Sequence, residues 1–81
     1  MSRFYFHLRD GDQLVTDDEG TDLPDLFAAK REAILCAREL VAEAIKSGKR
    51  RVPEFLIIAD ETGRELCIWA LADALPEQFR K

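Results

Sequence analysis

Between Leu23 and Ser47 the apolar residues recur with a helical period, the longest regular pattern in this 81-residue chain. Phe27, Ile34, Val41 and Ile45 share one line, and Ala33, Ala37, Leu40 and Ala44 widen it, while Glu32, Glu39, Glu43 and Lys46 hold the opposite side. Leu35 falls in the polar arc beside Arg31 and Arg38, where it reads as an ordinary exposed leucine or as a contact between helices. A one-sided helix of this length must bury its apolar arc, and the extended segments on either side are what the chain offers. Asp22 is the expected N-cap, with Pro24 inside the first turn and Asp25 near the positive end of the helix dipole. The Ser47-Gly48 pair is the expected stop, through a left-handed glycine.

Ahead of the helix, Arg3 to Arg9 alternates, with Phe4, Phe6 and Leu8 on one face and Tyr5 and His7 on the other. Asp10-Gly11-Asp12 supplies a turn and Gln13 to Thr16 a second strand, so the first element is a hairpin. Asp17 to Asp22 is polar without an apolar period and reads as a loop. Beyond the helix, Glu54 to Ala59 is nearly continuous in apolar residues, which suits a central strand, and Leu66 to Leu71 is a fourth strand after a turn at Asp60 to Arg64. The expected fold class is α+β, ββαββ: a four-stranded antiparallel sheet of order 2-1-3-4 with one helix on one face. Residues 1–81 form a single domain, with residues 76–81 expected to fray.

Composition excludes several classes. At 47% hydrophobic and 35% charged residues the chain is too apolar to be disordered, and no apolar run approaches the roughly 18 residues that cross a bilayer. No membrane association and a cytoplasmic location are therefore expected. Cys36 and Cys67 form no Cys-x-x-Cys pair and read as reduced packing groups.

The sheet face away from the helix would carry Tyr5, His7 and Trp69, and an open apolar face is seldom left uncovered. Either the tail covers it, with Leu75 and Phe79, or a second copy does; a homodimer is the favoured expectation. Seven acids and no base lie between Asp10 and Asp25. In the expected topology Asp17, Asp18, Glu19 and Asp22 meet Asp60 and Glu61 at one end, a candidate surface for a basic protein partner. No metal site is expected, because an EF-hand loop around Gly11 or Gly20 would put Phe6 or Val15 at its first ligand position.

Lys46, Lys49, Arg50 and Arg51 make a basic run at the helix end, the candidate contacts of an alternative, nucleic-acid-binding reading. Against it stand the net charge of −4 and the lack of an aromatic RNA-binding signature. No catalytic or cofactor residue is assigned: His7 is the one histidine, and neither cysteine is well placed beside it. The expectation is a non-enzymatic interaction or regulatory module, without a cofactor.

Arg3-Phe4-Tyr5-Phe6-His7-Leu8-Arg9-Asp10-Gly11, read together with Asp18-Glu19-Gly20-Thr21-Asp22-Leu23-Pro24-Asp25, resembles a family of short proteobacterial domains of unknown function, found in rhizobia and their relatives. The likeness continues through Ile58-Ala59-Asp60-Glu61-Thr62-Gly63-Arg64. It implies a small bacterial cytoplasmic protein and carries no catalytic residue.

Overall fold

The computed structural model describes residues 1–48 and 52–74. The chain runs through β1 (Ser2–Asp10), β2 (Gln13–Val15), β3 (Thr21–Leu23), α1 (Leu26–Lys46), β4 (Phe55–Ala59) and β5 (Glu65–Ala70), then a 3-10 turn over Leu71–Ala74. The fold is α+β, one helix on an antiparallel sheet, with five strands where four were expected. The path is β2-β1-β4-β5, and β3 also pairs with β1. The expected tail, with Leu75 and Phe79, and the basic residues Lys49, Arg50 and Arg51 lie outside the described residues.

The fifth strand arises within the segment expected to be a loop. Leu8 lies opposite Val15 and Phe4 opposite Thr21, so a step of four residues along β1 is matched by six along its partner edge. β2 and β3 are thus one edge strand interrupted by a bulged loop. Pairing of Thr21–Leu23 with β1 removes those residues from the helix, and the N-cap moves from Asp22 to Asp25. Asp25 is extended, and its Oδ1 accepts the Ala28 N–H at 2.8 Å. Pro24 precedes the cap instead of sitting in the first turn. The C-terminal end is as expected: Gly48 has φ +71° and its N–H reaches the Ile45 carbonyl.

The largest correction concerns the side that α1 turns inward. Ala29, Ala33, Ala37 and Ala44 are buried, whereas Phe27 is 69% and Ile45 73% exposed, and Ile34 and Val41 are half-buried. On a helical wheel the Phe27 line is turned by about 100° from the alanine ladder. Volume explains the choice. The inner face of the sheet is crowded with Phe4, Leu56 and Ile58, and Leu71 closes the core at one end. Alanines let the helix backbone come close over these side chains without overpacking.

Register assigns the strand faces. Leu56 of β4 is opposite both Leu8 and Trp69, so Trp69 stands on the helix side, packed against the core. It does not share a face with Tyr5 and His7, as expected from the sequence. The break in alternation comes from an irregularity at Ile58/Ala59, which shifts β5 against β4. The outer face instead presents Tyr5 and His7 with Leu14, 48% exposed, and Ile68, 55% exposed.

Candidate functional site

Arg3 lies between the two acidic segments and contacts each of them. Its guanidinium pairs with the Asp22 carboxylate, Nε to Oδ1 at 3.1 Å, and donates to the Glu19 carbonyl. Its backbone N–H donates to Glu61 Oε1 at 3.3 Å. Arg3 was not singled out from the sequence, although the absence of any base between Asp10 and Asp25 was a signal that their counter-charge must come from another element.

Asp17 sits where the edge strand is interrupted. Its Oδ2 accepts the Phe6 N–H at 3.2 Å, at the point where a continuous strand would have offered a carbonyl. Its Oδ1 accepts the N–H groups of Glu19 and Gly20 at 3.2 and 3.1 Å. Its own N–H donates to His7 Nδ1 at 3.0 Å, which requires the lone pair of that imidazole to be at Nδ1. Burial opposes ionisation of Asp17, but the N–H groups of Gly20, Phe6 and Glu19 outweigh it and lower its pKa. The carboxylate thus takes over a backbone role in the ladder.

Asp60 closes the other turn in a similar way. Its Oδ1 accepts the Thr62 hydroxyl at 2.6 Å and the N–H groups of Thr62 and Arg64 at 2.9 and 3.0 Å. The Thr62 hydroxyl is the main cause of its lowered pKa. Among the described residues Asp18 reaches only Thr16, at 3.4 Å. Asp17, Asp22 and Asp60 are therefore occupied in holding loops, and Asp18 and Glu19 are the carboxylates most available to a partner. Among the described residues no group of three His, Cys, Asp or Glu side chains is arranged to hold a metal ion.

Tyr5 and His7 stack on the outer face, with ring centroids 6.3 Å apart and planes 20° apart. Lys46 is exposed in the last turn of α1, where a cation favours the helix dipole. Cys36 is half-buried on the helix flank, and its thiol pKa is raised by burial and by the charges of Glu32, Glu39 and Asp17. A thiol so placed is a poor nucleophile near neutral pH.

Residues 3–72 match the family described as a domain of unknown function, DUF6894, and the chain belongs to that family. No curated protein and no solved structure matches the chain.

Proposed function

Taking membership of a family without an assigned activity as the premise, we propose that this chain is a non-enzymatic protein-interaction module that pairs with a second copy of itself through α1. One observation carries this reading: the helix has two apolar sides, and the sheet uses only one. The inward side is the alanine ladder, while Phe27, Leu35 and Ile45 are each more than half exposed. Single exposed apolar residues are ordinary, but Phe27 and Ile45 stand on one line at the two ends of a 21-residue helix, with Leu35 about 80° round from them, and together they make a docking feature.

The stripe favours a like partner because its two ends carry large apolar groups. Two antiparallel copies crossing at the level of residue 36 bring Phe27 of each against Ile45 of the other. Arg31 lies over the Phe27 ring at 5.2 Å and shields its far side from water. A single helix pair buries less than the roughly 800 Å² per partner of a standard interface, so the dimer is expected to be reversible. A bacterial cytoplasmic setting goes with this reading, supported by the motif resemblance and by the unpaired thiols.

Native mass spectrometry and light scattering test it. The wild-type chain is expected to be a dimer at micromolar concentration, and the double substitution F27S/I45S is expected to raise the dissociation constant at least about tenfold with unchanged helical circular dichroism. A monomeric wild-type chain overturns the proposal, as does a dimer that survives F27S/I45S and is lost on Ile68→Lys.

A further inference from the structure

A helix about 10 Å across cannot cover a sheet whose strands lie about 4.8 Å apart over four positions. α1 lies closest to β4, β3 and the 3-10 turn and buries Phe4 of β1, leaving the inner face of β2 and the Phe6–Leu8 part of β1 only partly covered on the flank opposite the Phe27 stripe. The result is an open groove of about 420 Å³. Phe6 and Leu8 of β1 and Leu56 of β4 form its floor, and Leu40 and Cys36 of α1 form its wall. Val15, the cross-strand partner of Leu8, continues the floor outward and is 62% exposed. Above this apolar surface stand the carboxylates of Glu39 and Glu43. Neither has an ion-pair partner among the described residues.

We infer that this groove receives a short basic segment of a partner protein, in which a bulky apolar side chain enters over Phe6 and Leu8 and an adjacent lysine or arginine meets Glu39 and Glu43. The occupant follows from complementarity: an apolar floor selects a large apolar side chain, and two carboxylates at the rim, without an ion-pair partner among the described residues, favour a cation and repel an acid. Size is consistent as well, since the groove falls within the range of about 300 to 1,000 Å³ of pockets that bury a small molecule. This site is independent of self-pairing, because it lies on the other flank of α1.

A fluorescein-labelled Gly-Ser-Phe-Arg-Lys-Ser-Gly peptide tests the inference by anisotropy at low ionic strength, with amide chemical shifts to locate it. Saturable binding is expected, with shifts centred on Leu8, Cys36 and Leu40. The exposed-site double substitution E39K/E43K is expected to weaken it at least about tenfold while the helical signal is unchanged. Replacing the peptide's Phe by Ser, or its Arg-Lys by Asp-Glu, is expected to remove binding. No saturable binding to the wild-type chain, equal binding by E39K/E43K, or equal binding of the serine peptide overturns it. F27S/I45S protein is expected to bind the peptide with unchanged affinity, so that loss of self-pairing and loss of groove binding are read separately.

Discussion

Asp17→Ala is expected to destabilise the domain by about 2 to 4 kcal/mol, because three backbone N–H groups lose one charged acceptor at once. Water reaches Glu19 easily, but the Phe6 N–H is part-buried at the inner side of the bulge. For a domain of this size such a loss lowers Tm by roughly 10 to 20 °C, measurable by circular dichroism. Asp17→Asn keeps one carbonyl oxygen and is expected to lose less. The pH dependence has a defined sign. The native pKa of Asp17 lies below the ordinary aspartate value, so its contribution is complete above that value and is lost as pH falls through the depressed native one. Urea midpoints measured between pH 6 and pH 2 are expected to fall more steeply at the acid end for the wild type than for Asp17→Asn. Parallel acid limbs would show that the carboxylate charge has no such role.

Gly20→Val is expected to cost about 3 kcal/mol through two separate effects. Gly20 has φ +74°, a conformation that costs an L residue about 1 to 2 kcal/mol. A Cβ there would also lie 2.8 Å from Arg3 Cγ and 2.9 Å from Tyr5 Cε2, and overpacking of this kind typically costs about 1 to 3 kcal/mol. Neither neighbour can yield freely. Arg3 is held by Asp22 and the Glu19 carbonyl, and Tyr5 is stacked against His7. In an Arg3→Ala background one clash and the ion pair are already gone, so the two substitutions are expected to cost less together than the sum of each alone. A double-mutant cycle in urea measures the coupling, and strict additivity would separate Gly20 from the Arg3 contacts.

Both residues belong to the part of the chain that was hardest to read in advance. Asp17 to Asp22 carries no apolar period, and periodicity is the signal by which strands and helices are recognised. Thr21–Leu23 becomes a strand only because Ser2–Phe4 offers a free edge, a long-range fact with no local trace. The same pairing displaced the N-cap from Asp22 to Asp25; both residues are chemically suited to cap, and position alone decided between them. Of the candidate site, the approach of the Asp22 and Glu61 segments to Arg3 followed from the pairing of β1 with β3 and β4. That Asp17 would stand in for a backbone carbonyl did not, since this depends on a bulge that appears only in the assembled sheet.

What the sequence by itself determined is the set of local patterns: alternation in β1, the apolar run of β4, the helical period of α1, the glycine turns, and hence an α+β fold with one helix on an antiparallel sheet. What only the tertiary structure decided is the rotation of α1 and the faces of β5. The period of a helix shows that it has an apolar arc wide enough to bury, but not which part of that arc goes inward. Here the large side chains of the sheet decided, admitting Ala29, Ala33 and Ala37 and turning Phe27 and Ile45 outward. Trp69 likewise joined the core through the shifted register of β5. Patterns along a chain arise from near neighbours, whereas close packing sums volumes across elements distant in sequence, and that sum set the surfaces left for partners.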